Sequence, residues 1–434
     1  MLLKRTLLAG VCACFMLPVW ADFSPPSHTT PALLISHNER QKVEASLTSF
    51  IEKVWAESPA IKAAKEAIQV ALAREEGADQ PLYNPSLVLD TERSQVNTTV
   101  IGFNQTLDWG GRRDAQRLVA NKQVLMAQSK LQQKKQKVAI EVLAALAKYS
   151  TAHQMQALGL RRTELMKGFI DTVKQRQFAG DMGALEGALA QVTYSEAIMQ
   201  QAALDSQLAE ADAALQSVTG LSLAQWPLLP NTLAAPPEQI DEGWLNRLPD
   251  LKVLRHRLET VKARVAVLER ETSTTPTVGV RAGREGSETL LGVSLEIPLF
   301  VRNDFKAGVR AASYEVRVEQ QQYQEAYRRA KARLEGSLAR YQNTTRAWQI
   351  WINEGQTAQH EQTYLLEKMW QAGELTATDY LIQAKQNLET QKAATELMGE
   401  VWQAAMVWLD ASGQTLDWLN MNAATSNNMN QIGE

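Results

Sequence analysis

The sequence has very little cysteine, because its 434 residues include only Cys12 and Cys14. Both lie within the first 21 residues, so a chain processed after Ala21 would carry no thiol. That usage is typical of proteins from oxidising compartments, where stray thiols are a liability. It excludes a disulfide framework and a cysteine nucleophile from the processed chain.

Long apolar runs and an excess of one charge are missing as well. No segment after the N-terminus has 18 uninterrupted apolar residues, so strands are the expected means of entering a membrane. The 45 basic and 48 acidic residues nearly balance and form no basic stripe, which argues against nucleic-acid binding. The five histidines are scattered, and neither G-x-S-x-G nor a phosphate loop occurs. We therefore expect no catalytic residue, no bound metal and no cofactor, and hence no enzyme.

The N-terminus has the pattern of a secretory signal. Lys4 and Arg5 precede an apolar stretch that ends at Leu17, and Ala21 stands at a cleavage position. A membrane anchor is less favoured because the apolar stretch is shorter than the roughly 20 residues of a spanning helix. Acylation at Cys14 remains a second alternative.

The rest of the chain repeats itself at an offset of about 190 residues. Ser58-Pro59 matches Leu248-Pro249, Ile101-Gly102 matches Leu291-Gly292, and Gly180 matches Gly373. The predicted organisation is a signal peptide (1–21), a first repeat (22–220), a proline-rich equatorial connector (221–244), a second repeat (245–413) and a C-terminal tail (414–434).

Each repeat contains a candidate β-hairpin, at about 85–109 and 276–300, in which apolar and polar residues alternate. A sheet packed on a soluble core would alternate in the same way. Strands of about 10 residues, however, have the length that tilted membrane strands need. The predicted lipid-facing residues are Ile101, Phe103, Leu107, Trp109, Leu291, Val293, Leu295 and Ile297. The predicted barrel-lumen residues are Asn104, Asp108, Ser294 and Glu296.

Long helices follow the hairpins, at about 111–178 and 303–372, and each would extend about 100 Å. Each reverses at a glycine, and a return helix follows. Four strands cannot close a barrel, and open edges in lipid would leave backbone groups unsatisfied. The expected fold is mainly α with membrane β-hairpins, in which the four strands of each chain join those of other copies.

These features resemble the outer-membrane efflux proteins of the TolC type, and Leu107-Asp108-Trp109-Gly110-Gly111-Arg112-Arg113 is most similar to the heavy-metal (CzcC/CusC-like) branch. The resemblance implies a homotrimer with a 12-stranded barrel in the lipid of the outer membrane and a helical tunnel in the periplasm. It further implies a membrane-fusion adaptor and an inner-membrane pump of the RND type as partners. The expected function is export, with heavy-metal cations as the favoured substrate. Drug efflux, type I protein secretion and a periplasmic coiled-coil scaffold stay open as alternatives.

The resemblance also implies roles for residues at the helix reversals. The expected adaptor-docking residues are Gly180, Asp181, Gly183, Gly373, Glu374 and Thr376. The candidates for a periplasmic gate are Glu186, Asp379 and Ile382. Ile382 stands where the family has a second aspartate and Leu375 where TolC has an arginine, which argues against a charged latch of the TolC kind. Glu186 and Asp379 fit equally well as first-turn acids favoured by the helix dipole.

Overall fold

The computed structural model describes residues 37–230, 233–241, 243–419 and 421. The predicted signal peptide and most of the predicted tail lie outside the described residues. Among those residues, no helix combines the length and the apolar character needed to cross a bilayer.

The structure contains the same series of elements twice, which confirms the duplicated unit. The first series is α1 (His37–Glu57), α2 (Pro59–Asp79), β1 (Ser86–Arg93), β2 (Asn97–Thr106), α3 (Arg112–Phe178) and α4 (Ala184–Thr219). The second series is α5 (Gly243–Arg247), α6 (Pro249–Glu271), β3 (Thr277–Glu285), β4 (Glu288–Glu296), α7 (Lys306–Ile350), a π-helical turn (Trp351–Gly355), α8 (Gln356–Gln371) and α9 (Ala377–Ser412). A short helix, α10 (Thr415–Trp418), follows.

The second long helix starts later than the predicted residue 303. The backbone N–H of Phe305 donates to the side chain of Asn303, and that of Lys306 donates to Asp304. These local bonds hold residues 303–305 in turns, as is common for Asn and Asp. The helix therefore begins at Lys306, and a π-helical turn interrupts it at Trp351–Gly355.

The two hairpins form one antiparallel sheet in the order β1-β2-β3-β4. The two repeats meet where β2 pairs with β3, with Gly102 opposite Arg281 and Phe103 opposite Val280. Because the order places β1 and β4 at the outside, each of these strands has one edge without a partner strand in the described chain.

Four hydrophobic clusters lie among the described residues, and the two largest hold most of the helices together. The larger lies at mid-length and joins α1, α3, α9 and the connector, with Leu47, Leu143, Trp226 and Met406 among its buried side chains. The smaller lies near the helix reversals and joins α3, α4, α8 and α9. The predicted tail starts inside the larger core, because Leu416 and Leu419 are buried there.

Candidate functional site: the sheet faces and the helix tips

The sheet has one apolar face, which we call the apolar face throughout. Leu89, Ile101, Ala282 and Leu291 stand opposite one another across the four strands, and the next row holds Leu87, Phe103, Val280 and Val293. Directly paired residues share a face, so these rows lie on the same side of the sheet. Leu291 is 81% exposed and Val293 is 84% exposed. A single chain thus presents a continuous apolar surface that none of its described residues covers.

The opposite face, which we call the polar face, carries the strand residues that alternate with those of the apolar face. Asn104, Gly279 and Ser294 form one row across β2, β3 and β4, and Thr277 pairs with Glu296 in the next row. The hydroxyls of Thr106 and Thr277 lie 2.8 Å apart and are hydrogen-bonded. The register therefore places Asn104, Ser294 and Glu296 together, on the side away from Ile101, Phe103, Leu291, Val293 and Leu295.

Four residues that were predicted on the strands lie beyond the strand ends. β2 ends at Thr106 and β4 at Glu296, so Leu107, Asp108, Trp109 and Ile297 belong to the junctions. Only the N–H of Leu107 continues the ladder, by donating to the carbonyl of Pro276 at 2.9 Å. The prediction that these four residues lie on the strands is therefore wrong.

Asp108 caps the first long helix. Its two carboxylate oxygens accept from the backbone N–H groups of Arg112 and Arg113, each at 2.9 Å. Helix N-termini leave such N–H groups without intrahelical partners and favour negative charge. Gly111 adopts a positive φ of 63°, which allows the chain to turn from strand to helix here. The carboxylate thus faces the helix end, and this explains why it does not continue the polar face.

The same junction is held to the second repeat. The guanidinium of Arg270 donates to the carbonyls of Gly110 and Gly111, and Arg112 forms a salt bridge with Glu271 at 2.7 Å. Both partners come from the last turn of α6. Polar contacts between the two repeats therefore stabilise the end of the sheet that adjoins the helices.

The helix tips have the same backbone geometry in both repeats. Gly180 has a φ of 87° and Gly373 a φ of 77°. The N–H of Asp181 donates to the carbonyl of Arg176, and the N–H of Glu374 donates to that of Met369. Bonds of this span after a left-handed glycine define a Schellman motif, which satisfies the last carbonyls of a helix. The two tips thus share the same helix C-terminal motif.

The side chains at the two tips differ in character. Phe178 is 97% exposed and Leu185 is 79% exposed at the first tip. The repeat register places Gln371 and Thr378 at the equivalent positions of the second tip. At these two positions the first tip is therefore apolar and the second polar, although their backbones follow the same path.

Asp379 takes part in an N-terminal cap. Its backbone N–H donates to the hydroxyl of Thr376 at 3.1 Å, and that hydroxyl donates to the Asp379 carboxylate at 2.6 Å. This reciprocal pair resembles a capping box, which stabilises the first turn of a helix. Glu186 stands at the same place in α4, where Gly183 is the cap and offers no side chain. The geometry of Asp379 favours the helix-capping alternative, and Ile382 lies one turn later, 62% exposed.

An aromatic stack lies just above the tips. Trp370 stacks on Tyr380 with ring centroids 4.7 Å apart, and Tyr380 stacks on Phe169 at 5.7 Å. The guanidinium of Arg176 lies over the Trp370 ring at 4.6 Å. Burial, with a smaller contribution from neighbouring Glu367, raises the pKa of the Tyr380 hydroxyl well above its ordinary value. The stack ties the long helix of the first repeat to both tip helices of the second.

An ion-pair network, which the sequence interpretation missed, links the two repeats above this stack. Glu196 of α4 accepts from Lys385 of α9 at 2.7 Å, and Arg162 of α3 forms a salt bridge with Glu389 at 3.4 Å. The hydrogen bond from Lys385, together with nearby positive charge, lowers the pKa of Glu196. Glu196 and Glu389 are equivalent positions in the repeat register, so aligning the repeats by charge could have found the network.

No group of three or more His, Cys, Asp or Glu side chains that could hold a metal ion occurs among the residues that the structure describes. What the described chain offers is two surfaces, the sheet and the tips, joined by long helices.

Comparison with known proteins agrees with this arrangement. The sequence model of the outer membrane efflux protein family matches residues 50–221. A search of curated protein sequences gave no significant match. The family consists of efflux proteins, in keeping with the expectation of a transport protein and not an enzyme.

Solved structures with the same fold span most of the chain. The outer-membrane channel OprN is 16% identical with a TM-score of 0.71, over 86% of this chain and 92% of its own. CusC is 14% identical with a TM-score of 0.70, over 84% and 91%. VceC of Vibrio cholerae is 17% identical with a TM-score of 0.68, over 87% and 98%. The chain therefore resembles the TolC-type outer-membrane efflux proteins, by sequence over residues 50–221 and by fold over most of its length.

Proposed function

We propose that this chain is the outer-membrane channel subunit of a tripartite efflux system driven by an RND-type pump. The observation that carries the proposal is a four-stranded sheet with one fully exposed apolar face, standing on helices that reverse at two matching tips. The apolar face would meet lipid and the polar face would line a water-filled lumen. The helices would continue that lumen as a tunnel through the periplasm.

The open edges of the sheet support a homotrimer. β1 and β4 each have one edge without a partner strand within the described chain. An unpaired backbone group in lipid costs several kcal/mol, and four strands are about half of the smallest closed barrel. Three copies would join edge to edge into a 12-stranded barrel and leave no open edge.

The charges on the polar face support cations as the exported class. This face carries five carboxylates, those of Asp90, Glu92, Glu285, Glu288 and Glu296, and a single basic side chain, that of Arg281. The charged residues of the apolar face are Arg93 and Arg284, and it has no acid. A lumen lined mainly by carboxylates raises the local concentration of cations and lowers that of anions. We therefore favour metal cations, as the likeness of the strand-to-helix junction to the heavy-metal branch also suggests.

The tips are the proposed docking points for the periplasmic adaptor. An added Cβ at either Gly180 or Gly373 would meet no other atom within 4 Å, so both turns face open space. Asp181 and Glu374 follow these glycines and are exposed. Accessible turns of fixed geometry at the end of a rigid helix pair suit recognition by another helical hairpin.

Deletion of the gene tests the substrate class. If the chain exports metal cations, the deletion strain should become more sensitive to metal salts and should keep its resistance to organic drugs. Increased sensitivity to drugs alone would instead favour drug efflux. Recovery of the mature protein in the soluble periplasmic fraction would support the scaffold alternative and contradict the duct.

Substitution at the second tip tests docking. Gly373→Trp should impair export while leaving the amount of trimer in the outer membrane unchanged. The matched control is Gly336→Trp, at a helical glycine of α7 that also faces open space away from the tips. Unimpaired export by Gly373→Trp would contradict the docking role.

A further inference from the structure

Arg281 differs in charge from the other residues of the polar face. It is the middle residue of β3 and the only basic side chain on that face among the described strands. The other two arginines of β1–β4, Arg93 and Arg284, share the apolar face and lie near the hairpin turns. The side chain of Arg281 is exposed and forms no salt bridge with another described residue.

The residues around Arg281 leave it room. Its directly paired neighbours on both sides are glycines, Gly102 on β2 and Gly292 on β4. An added Cβ at Gly292 would come within 2.8 Å of the Arg281 Nε atom, so the arginine lies flat across this glycine. A larger residue at 292 would push the guanidinium away from the sheet. The row thus combines one long cationic side chain with neighbours that do not restrain it.

We propose that Arg281 is a selectivity-determining residue of the pore, which weakens the cation preference set by the surrounding carboxylates. This inference rests on the proposed function, in which the polar face lines the lumen of a trimer. Three copies of Arg281 would then stand at one height, midway along the barrel. They would form a positive ring between acidic rows.

The acidic rows lie on both sides of this ring. Towards the hairpin turns, Glu92, Glu285 and Glu288 share one row, and Glu285 stands directly opposite Glu288. Towards the helices, Glu296 ends the polar face of β4. Like charges placed directly opposite on paired strands are destabilising, so this row costs stability unless cations compensate it.

A positive ring between such rows has a physical use in a conduit. Conduction requires that an ion enter readily and also leave readily. Carboxylates along the whole lumen would hold multivalent cations for a long time. A central arginine shortens that residence by repulsion and admits anions as counter-ions. Loss of the Arg281 charge should therefore increase cation selectivity and lengthen the time that a divalent ion spends in the lumen.

Single-channel recording in planar lipid bilayers tests the proposal on the full-length protein. Reversal potentials in a potassium chloride gradient give the cation-to-anion permeability ratio. Arg281→Gln should raise this ratio on the order of fivefold at low salt, since three positive charges leave the lumen. Magnesium should then block the potassium current more strongly. Arg281→Lys keeps the charge and should stay close to the unaltered protein.

Arg284→Gln is the matched control, because Arg284 lies three residues further along the same strand on the apolar face. It should leave the ratio unchanged. An unchanged ratio in Arg281→Gln would overturn the proposal, and so would a change confined to Arg284→Gln, which would place the apolar face in the lumen. Failure of the unaltered protein to form any channel would contradict the proposed function itself.

Discussion

At the scale of single residues, the tips depend on a backbone conformation that glycine alone adopts without strain. Gly180 and Gly373 both have positive φ values, and the N–H of each donates to a carbonyl in the last turn of its helix. A side chain in the left-handed region costs about 1–2 kcal/mol. Open space around both glycines means that backbone strain, and not a steric clash, should govern any substitution.

Gly373→Ala should therefore loosen the second tip by about 1–2 kcal/mol. Hydrogen exchange of the amides from 369 to 376 should accelerate accordingly, while exchange in the first tip stays unchanged. Gly168→Ala is the control, because Gly168 is helical and also faces open space. It should be neutral or stabilising by up to about 1 kcal/mol. Equal exchange at the tip in Gly373→Ala would contradict the argument from φ.

The network around Glu196 makes a prediction about pH. Its folded pKa is lowered, chiefly by the hydrogen bond from Lys385, so its stabilising contribution is present above the ordinary glutamate pKa of about 4.3. That contribution is lost as the pH falls through the lowered folded value. The pair is partly exposed, so we expect less than about 1 kcal/mol.

Thermal unfolding of Glu196→Gln in detergent should accordingly show a small loss of stability at pH 7. The difference from the unaltered protein should shrink below about pH 4. Glu210→Gln, at an exposed position of the same helix, should show no such pH-dependent difference. A difference that persisted undiminished at low pH would mean that Glu196 acts through packing and not through its charge.

Single residues also mark where sequence reasoning reached its limit. The alternation through Ile101 and Phe103 correctly predicted which residues share a face. It could not show that the strand stops at Thr106, because Leu107 and Trp109 continue the same pattern. The strand ends there because two backbone N–H groups at the N-terminus of α3 bind the Asp108 carboxylate.

At the scale of elements, the helices and hairpins follow from sequence periodicity and from the glycines that end the helices. The π-helical turn at Trp351–Gly355 has no comparable signal. It accommodates the Trp351 ring against Gly355, where an added Cβ would lie 2.4 Å from that ring. This contact joins residues four apart in one turn, and the missing side chain of the glycine provides the space for the ring. The contact between repeats at Arg270 depends on tertiary geometry and was missed for that reason, whereas an alignment of the repeats by charge could have found the network at Lys385.

The two faces of the sheet predict opposite effects of a lysine substitution at adjacent residues. Val293 lies on the apolar face near the middle of β4 and Ser294 lies on the polar face, and both are exposed in the single chain. Val293→Lys should cost roughly 2–4 kcal/mol if its face meets lipid near the bilayer midplane. Ser294→Lys should be tolerated, because its face would line a water-filled lumen. Counting trimers in outer-membrane extracts measures both, and normal assembly of Val293→Lys would contradict the assignment of the two faces.

At the scale of the whole molecule, the chain is incomplete by itself. Its apolar sheet face is uncovered and its edge strands are unpaired among the described residues. Lipid can cover the first, but the second is satisfied only when copies associate. The sequence indicated this need through the number of strands, but it could not fix the number of copies, which depends on strand tilt and on packing between chains.

The central claim is that three chains share one barrel, and the mass of the assembly tests it most directly. Native mass spectrometry of the mature protein, extracted from the outer membrane in detergent, should give a particle of three chains. Removal of the detergent should cause aggregation and not release of stable monomers. A soluble particle of one or two chains would contradict the account.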